Sequence, residues 1–387
     1  MLEIEKIIPG GQAIATEDTG KKVLLWNALP SEVVSNYQVT KNKAHYIEAI
    51  ATNIEYPSCH RISPRDNCYL ATSPWQIMDY DYELFQKQAL VVELFREHHI
   101  DIQTPPILTD NRDFYYRNKM EYSLYYDNEK SMIFPAFHLR GTHRKVPIIA
   151  SSIERLEILT AAKDIIDKLN TNHEEARHYQ SLLLRCNQSG CISGGLYENH
   201  QPHQIFNNLT DTILGHKYSY SPNGFFQINL PVYEMALTVI NRYITTERVL
   251  DLYAGVGTIG LSVASNRHLT LVEVDKSAYR ELCKNVATFG SDNKNIAPVL
   301  AKSESVLDYI TPDTTVILDP PRAGCDTKLI NRLFDVAPPK IIYLSCNPAT
   351  QARDLEILLS KYHIEEIKVF NFFPRTPHIE NLAVLSL

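Results

Sequence analysis

Three short segments in the last part of the chain place a reactive side chain at the end of a strand or on a turn. They are LDPPRAG with Asp319, YLSCNPAT with Cys346 and PHIEN with Glu380. A thiolate can act as a nucleophile and a carboxylate as a general base, and covalent catalysis requires both in one site. The plainer interpretations are a buried core thiol, the commonest state of cysteine, and a solvated turn carboxylate.

A glycine-containing segment, VLDLYAGVGTIG, leads from a buried strand through a tight turn into a helix. Gly255 and Gly257 allow the backbone to bend and to approach a ligand closely. With Gly260 they also spell the dinucleotide fingerprint. Glu273 ends the next strand, 22 residues after Asp251, where a carboxylate can accept both hydroxyls of a ribose. This pattern fits a nicotinamide enzyme and a methyltransferase equally well.

Three features favour a methyl donor. Asp251 ends the first strand, where a carboxylate can serve the cationic methionine end of S-adenosylmethionine. Asp319 ends the fourth strand, at the carboxyl edge where ligands bind in such sheets. The chain then ends in FNFFPRTPHIENLAVLSL, which predicts two strands joined by a long turn.

The residue after Asp-Pro-Pro separates two kinds of methyl transfer. Enzymes that methylate exocyclic amines usually have an aromatic residue there, whereas this chain has Arg322. An amine attacks the methyl group directly, but carbon 5 of uracil is a poor nucleophile until a thiolate adds to carbon 6. A base must then remove the carbon 5 proton so that the thiol can leave. Cys346 lies on the same strand edge as Asp319, and Glu380 could reach it.

Composition sets outer bounds on the protein. The 387 residues are 44% hydrophobic and 21% charged, which is ordinary for a globular protein. The seven cysteines are scattered and odd in number, which favours reduced thiols in a cytoplasmic protein. No apolar run of 18 residues indicates a membrane span, and MLEIEKIIPGG does not read as a secretory signal. Because the formal net charge is −7, any nucleic-acid site must be a local patch.

The elements that must position these residues fall into three predicted domains. Residues 1–57 contain short β segments with glycine and proline between them, which predict a small β-barrel. Residues 58–214 predict an α+β domain with a helix at 80–98 that packs on the catalytic domain. Residues 215–387 alternate strands with helices, the pattern of a doubly wound α/β domain.

A basic and aromatic stretch lies in the middle domain. Residues 112–145 contain seven Lys or Arg and four Asp or Glu among eight Phe or Tyr. Basic groups can bind phosphates, and aromatic rings can stack on unpaired bases, so we expect RNA contact at Tyr115, Tyr116, Arg117 and Lys119. The alternative is a twisted sheet with a solvated face, in which Tyr is simply a good strand former.

Six segments together resemble the RNA uracil-C(5) methyltransferases, which make 5-methyluridine in tRNA and rRNA. They occur in the order and spacing of that family: SPNGFFQIN, LDLYAGVGTIG, LVEVD, LDPPRAG, YLSCNPATQARDL and FFPRTPHIEN. The resemblance is strong over 215–387. It extends to FYYRNKMEYSL, which is similar to the family's central-domain signature, and to an N-terminal barrel similar to a TRAM domain.

The resemblance implies a role for each matching position. Cys346 would be the nucleophile and Glu380 the proton acceptor, in a Rossmann-like methyltransferase domain with S-adenosylmethionine as cofactor. RNA, either rRNA or tRNA, would be the partner, with no membrane and no obligate protein partner. The residues implied to hold the donor and order its pocket are Gln227, Tyr253, Gly255, Gly257, Thr258, Glu273 and Asp319.

Two departures from the family pattern affect the expected cofactors. Many members carry a four-cysteine iron–sulfur site, but here only Cys59 and Cys68 lie in the relevant stretch, nine residues apart. Ser151 and Ser152 lie near the place of the fourth ligand. Two thiolates cannot fill a four-ligand site, so we predict no iron–sulfur cluster and no metal. Lys302 occupies a position where an acidic residue commonly assists the adenine.

Three other functions compete with this interpretation. A nicotinamide-dependent oxidoreductase would use the same glycine turn. A non-catalytic RNA-binding protein could retain the fold, although the joint presence of Cys346 and Glu380 argues against it. A cytosine methyltransferase is closer in chemistry, but its cysteine motif and its protonation requirement differ.

Overall fold

Apolar and polar residues alternate along much of the N-terminal strands, and the sheet they form curls until its two ends meet. The computed structural model describes residues 1–140, 144–171, 178–198, 201–202, 207–289 and 295–387. Strands β1 to β6 are Leu2–Glu3, Lys6–Ile7, Ala13–Thr16, Lys22–Trp26, Val33–Asn42 and Tyr46–Tyr56. Their order is β1-β5-β6-β4-β3-β2. Because β1 and β2 are consecutive in the chain, the sheet closes into the predicted small barrel.

One long helix connects the barrel to the rest of the molecule. The elements here are α1, Tyr69–Thr72, a 3₁₀ turn at Pro74–Ile77, and α2, Tyr80–Glu97. Asp79 caps α2 by accepting a hydrogen bond from the Tyr82 N–H at 2.8 Å. Further along the helix, Leu90 and Phe95 belong to the same apolar cluster as Leu355 of the C-terminal region. Helix α2 is therefore packed on the part of the chain that carries Asp319, Cys346 and Glu380.

An antiparallel sheet forms the middle of the molecule. Strands β8 to β13 are Lys119–Asp127, Met132–His138, Lys145–Pro147, Ser181–Cys186, Ile192–Glu198 and Gln201–Pro202, in the order β10-β9-β8-β11-β12-β13. Helix α3, Leu156–Thr171, covers one face with Ile158, Ala162 and Ile166. The basic and aromatic stretch lies mainly on β8 and β9, and its residues 141–143 are outside the described residues.

The C-terminal region is a doubly wound sheet, as predicted. A separate hairpin of β14, Leu209–Ile213, and β15, His216–Tyr220, precedes it. The strands of the region that follow, β16 to β22, are Arg248–Leu252, His268–Glu273, Ile296–Leu300, Thr314–Leu318, Lys340–Ser345, His363–Phe370 and Glu380–Ser386. Helices α4 to α8 are Leu230–Asn241, Thr258–Ala264, Lys276–Thr288, Thr327–Val336 and Pro348–Leu358, with 3₁₀ turns at Ser303–Ser305 and Leu307–Tyr309.

The order of this sheet is β18-β17-β16-β19-β20-β22-β21-β7, where β7 is Ile107–Leu108 from the preceding region. Strands β16 to β20 pair in parallel, and β22 pairs antiparallel with β20 and β21. The strand direction therefore reverses next to β20, so the ends of β16, β19 and β20 and the start of β22 share one edge. This edge is where ligands bind in such folds.

Two large apolar clusters cover the two faces of this sheet, which explains the long apolar runs of its strands. Within the described ranges, no helix combines the length and the apolar character that a bilayer span needs. The domain boundaries near residues 57 and 214 stay predictions.

Candidate active site

The glycine turn after β16 bends sharply and is open on one side. Tyr253, Gly255 and Gly257 all have positive φ, at 65°, 57° and 90°. A methyl group on Gly257 would come within 2.5 Å of Leu282 Cδ1, whereas one on Gly255 would meet nothing within 4 Å. The turn is therefore packed against α6 at Gly257 and has free space at Gly255, where a ligand can approach the backbone.

Glu273 ends β17 beside this turn, and its carboxylate is held in place by backbone donors. One oxygen accepts from the Gly255 N–H at 2.8 Å and the other from the Asp275 N–H at 2.6 Å. Each oxygen keeps further accepting capacity for a ligand hydroxyl. A cavity of about 180 Å³ lies here, lined in part by Glu273, Tyr253 and Lys302. The geometry therefore suits a ribose, and Lys302 lines the same space.

Three acidic side chains interact at the carboxyl edge of the sheet. Asp251 is fully buried; its Oδ2 accepts from the Gly260 N–H at 2.8 Å, and its Oδ1 has no hydrogen-bond partner among the described residues. Burial raises the pKa of Asp251 to about 8, opposed by the Gly260 hydrogen bond. Burial also raises the pKa of Asp319 to about 7, and burial together with Asp319 raises the pKa of Glu380 well above its usual range. A cation in this cleft would stabilise the ionised carboxylates.

Cys346 and Glu380 come together through the antiparallel pairing of β20 and β22. Ser345 lies opposite Asn381, so the next step along the two strands places Cys346 opposite Glu380. Burial raises the pKa of Cys346 to about 12, and the charges of Glu380 and Asp319 act in the same direction. A thiol, a carboxyl group and the Asp-Pro-Pro carboxylate thus interact in one partly buried site.

Arg322 ties the three motif segments together. Its carbonyl accepts hydrogen bonds from Asn347 Nδ2 at 2.8 Å and from Thr350 Oγ1 at 3.3 Å. Its guanidinium lies 3.3 Å from His378 Nδ1, and burial lowers the pKa of His378 to about 4, so the neutral imidazole can accept. Sequence reasoning missed Asn347 and His378. Their place in the motifs was visible, but their hydrogen bonds link positions far apart in the chain.

Two cations, the half-buried Lys119 and the buried Arg185, hold the loop that precedes α4. Lys119 Nζ donates to the carbonyls of Asn223 and Gly224 at 3.1 and 3.3 Å, and Arg185 Nη2 donates to the carbonyl of Phe226 at 2.9 Å. Burial, aided by Arg185, lowers the pKa of Lys119 to about 8. Lys119, which the sequence predicted as a phosphate contact, therefore fixes a loop in this structure.

The loop held by these cations presents Gln227 and an exposed aromatic ring. Gln227 is buried, and its carbonyl accepts from Asn118 Nδ2 at 3.0 Å. Phe225, two residues earlier, is 75% exposed. Thr258, predicted as a donor contact, is buried, and its hydroxyl lies 2.7 Å from the Tyr233 hydroxyl. The sequence did not single out Phe225, whose exposure is set by the loop conformation.

The other predicted RNA contacts occupy different environments. Tyr116 is buried and its hydroxyl donates to the carbonyl of Pro374 at 2.9 Å. Tyr115 is 37% exposed, and its hydroxyl accepts from Arg65 at 2.7 Å. Arg117 is half-buried and donates to the Lys119 carbonyl at 2.9 Å. Among these residues, Tyr115 and Arg117 keep surface that RNA could contact.

The two cysteines of the middle region have unlike environments. Cys59 is exposed, whereas Cys68 is buried, with its Sγ 3.5 Å from the Ala150 carbonyl. Burial raises the pKa of Cys68 to about 11. Asp66 accepts from the backbone and the hydroxyl of Ser152 at 2.8 and 2.9 Å. In the part of the chain that the structure describes, no group of three or more His, Cys, Asp or Glu is arranged to hold a metal; the absence of a cluster stays a prediction.

Comparisons with known proteins agree with this geometry. Residues 207–386 match the model of the family described as tRNA (uracil-5-)-methyltransferase. An uncharacterized RNA methyltransferase of Thermosynechococcus vestitus is 28% identical, over 90% of this chain and 90% of that protein. An uncharacterized RNA methyltransferase of Staphylococcus aureus is also 28% identical, over 94% of this chain and 93% of its own length.

One solved structure shares the fold over the whole chain. It is the tRNA (uracil-54, C5)-methyltransferase of Pyrococcus abyssi in complex with S-adenosyl-L-homocysteine. The TM-score is 0.78, the sequence identity 21%, and the match covers 100% of this chain and 99% of that one.

Proposed function

We propose that the chain is a member of the tRNA (uracil-5-)-methyltransferase family, whose model matches residues 207–386, and that it methylates carbon 5 of one RNA uridine through a cysteine–uracil adduct. The proposal is supported by the pairing of β20 with β22, which ends at Ser345 and Asn381, directly before Cys346 and directly after Glu380, and by the effect of the Glu380 charge on the pKa of Cys346. An amine methyltransferase has no use for that pair, because its substrate nitrogen needs no enzyme nucleophile.

The residues present fit S-adenosylmethionine, which supplies an electrophilic methyl group when bound. Glu273 would accept the ribose hydroxyls, and the open backbone at Gly255 leaves room beside it. The unpartnered Oδ1 of Asp251 is fully buried and needs a donor or a positive charge. Gln227 and Asp319 would complete the donor site. A cationic ligand suits this set because a positive charge next to buried carboxyl groups stabilises their ionised forms.

The reaction can be written for the chain's own side chains. Cys346 Sγ forms a bond to carbon 6 of uracil, and the electron pair of the 5,6 double bond moves toward carbon 5 and the carbonyl at carbon 4. Carbon 5 then takes the methyl group as the methyl–sulfur bond of the donor breaks. Glu380, in the ionised form that Arg322 and a cationic donor favour, accepts the carbon 5 proton. The electrons of that C–H bond restore the double bond, and the Sγ–carbon 6 bond breaks.

The charges around the thiol control the first step. With a pKa near 12, Cys346 is protonated at neutral pH, so the thiol must lose its proton as it attacks, and the oxygen on carbon 4, which gains electron density in this step, can take that proton. Arg322 opposes the rise in this pKa, and a cationic donor in the same cleft would act in the same direction. We therefore propose that Cys346 becomes reactive only when the donor site is filled.

The substrate is proposed to be an unpaired uridine of tRNA or rRNA. Carbon 6 is shielded in a helix, so the target nucleotide must be flipped out of the stack to reach Cys346. The Pyrococcus abyssi protein of the same fold is named for uridine 54 of tRNA, which makes the corresponding loop one candidate.

The test is a methylation assay with methyl-labelled S-adenosylmethionine and separate unmodified tRNA and rRNA transcripts. We expect label in one RNA class, and mass mapping should identify it as 5-methyluridine at one position. Cys346→Ala is the control. Label on an exocyclic amine, or full activity of Cys346→Ala, would refute the proposed reaction, and label in neither RNA would refute the proposed substrate.

A further inference from the structure

A second and larger cavity, of about 420 Å³, lies between the middle region and the start of α4. Helix α3 begins at its edge as well, just after Arg155. Its lining includes Tyr115, Tyr116 and Asn118 from one segment and Asn229 from another. This volume is in the ordinary range for a small-molecule or nucleotide site, and the cavity is separate from the one at Glu273.

Two buried amide groups in the lining of this cavity each have one atom without a partner among the described residues. Asn118 is 4% exposed and Asn229 is 2% exposed. The Asn118 Oδ1 and the Asn229 Nδ2 have no hydrogen-bond partner among the described residues. Buried polar atoms are normally paired, and leaving one unpaired is costly. Both residues line the cavity, so a ligand that fills it can supply the donor and the acceptor that these two atoms lack.

The cavity shares a wall with the catalytic edge. Asn229 follows Gln227 of the candidate donor site by two residues. Tyr116 and Ile228 pack with Phe373 in one apolar cluster, and the Tyr116 hydroxyl donates to the Pro374 carbonyl at 2.9 Å. Phe373 and Pro374 belong to the turn that leads into Glu380. A group held in the cavity would therefore be a near neighbour of the reacting uridine.

Charges in the lining favour a neutral group over a phosphate. Arg112 pairs with Asp110 at 2.9 Å, and Arg155 pairs with Glu157. Both arginines are thus neutralised by acids in the same lining, although two helices begin there. An RNA base carries a donor beside an acceptor on its edge and a flat face that can lie on Tyr115.

We propose that this cavity binds the base of a second RNA nucleotide close to the target uridine. Asn118 Oδ1 accepts a hydrogen bond from that base, and Asn229 Nδ2 donates one to it. The inference rests on the proposed function, because it requires RNA as substrate. It assigns sequence recognition to a site other than the one that holds the uracil.

The test pairs Asn229→Asp with changes in the RNA. This substitution keeps the shape but replaces the donor by a carboxylate, and Asp is as good an N-cap as Asn, so α4 should stay intact. Asn241→Asp, the same change at the exposed far end of α4, is the matched control. The probe is a stem-loop RNA containing the site mapped in the methylation assay, with single abasic replacements at each other loop position.

We expect Asn229→Asp to raise the Kd for the intact stem-loop by about tenfold, the effect of losing a buried hydrogen bond. For the wild-type protein, an abasic replacement at one loop position should raise the Kd by a similar factor. For the variant, the replacement at that one position should raise the Kd less than twofold further, because the lost contact is the same. Asn241→Asp should match the wild type.

Two results would overturn the pocket assignment. In one, the increase in Kd caused by Asn229→Asp multiplies with the increase caused by every abasic replacement, so no RNA position is linked to Asn229. In the other, Asn229→Asp weakens S-adenosylhomocysteine binding and leaves RNA binding unchanged, which would assign the cavity to the donor site. A wild-type protein that methylates no RNA would instead refute the proposed function, and this inference with it.

Discussion

At the residue scale, Cys346 and Glu380 act at different steps of the proposed reaction, so their variants should fail differently. Cys346→Ala should abolish both turnover and any covalent RNA adduct, because no bond to carbon 6 can form. Glu380→Gln should still add to the uracil and methylate it but should lose about 10²- to 10⁴-fold in turnover, the usual contribution of a general base. It should accumulate as a methylated, RNA-linked species. Denaturing gels with labelled donor and a loop RNA would show it as a slow band.

The exposed Cys191 offers a control for general effects of thiol removal, and Cys191→Ala should behave as the wild type. Normal turnover by Glu380→Gln would assign the base to another group. A Cys346→Ala protein that still forms 5-methyluridine would exclude the covalent route.

Asp251 should make the stability of the ligand-free protein depend on pH. Its pKa is about 8 in the folded protein and near 4 when unfolded, so its stabilising contribution is complete below pH 4 and is lost as the pH rises through 8. Across that window it should lower the free energy of unfolding by up to about 1.4 kcal/mol per pH unit. Denaturant unfolding at pH 5 to 8 should show a shallower slope for Asp251→Asn, whereas the exposed Asp167→Asn should leave it unchanged.

At the element scale, helix α2 supports the turn at 371–379. Lys87 is fully buried, and its Nζ donates to Glu83 Oε1 at 2.8 Å, to Asn371 Oδ1 at 2.6 Å and to the Phe373 carbonyl at 3.1 Å. Glu83 in turn accepts from the Arg375 N–H at 3.0 Å. A helix from the middle region thereby fixes the turn that ends at the proposed base.

Lys87→Met should therefore reduce stability and activity together. Removing one partner of a buried pair costs about 3 kcal/mol, and the loosened turn should lower single-turnover methylation about tenfold or more. The double variant Lys87→Met, Glu83→Gln should recover much of the stability, because the uncompensated charge is gone, but not the activity. Lys163→Met on the exposed face of α3 is the control. Full activity of Lys87→Met would show that the turn holds its position without α2.

At the scale of the whole molecule, the barrel touches the catalytic turn directly. Gly11 has a φ of 92°, and a methyl group there would lie 2.2 Å from Pro377 Cβ. The Gly11 carbonyl accepts a hydrogen bond from Trp75 Nε1 at 3.0 Å. The barrel is thus part of the frame around the active site, whether or not it binds RNA.

Gly11→Ala should displace Pro377 and lower turnover about tenfold, while Gly20→Ala should not. Gly20 has a similar φ of 82°, but a methyl group there meets nothing within 4 Å. Both variants should lose about 1 kcal/mol of stability from the left-handed backbone, so the difference between them isolates the contact with Pro377. Thermal unfolding and steady-state methylation would measure both effects, and equal turnover of the two variants would contradict this role of the barrel.

The sequence by itself was enough for the fold class and the motif-bearing elements. Apolar runs such as TTVILD and KIIYLS predict buried strands, and the ends of parallel strands meet at one edge of a sheet, so Asp251 and Asp319 could be placed together. The closed barrel and the final strand pair also follow from local patterns, because turns and alternation act over a few residues.

Only the tertiary structure decided which side chains meet and how deeply they are buried. Cys346 and Glu380 are neighbours because the register of an antiparallel pair sets Ser345 opposite Asn381, and long-range packing selects that register. The structure shows that Lys119 donates to a loop carbonyl and that the Tyr116 hydroxyl donates to the Pro374 carbonyl, neither of which the sequence indicated, while their contact with RNA stays a prediction. The unpartnered amides of Asn118 and Asn229 come from segments more than a hundred residues apart. Burial depends on all the neighbours that folding brings together, and no local pattern records it.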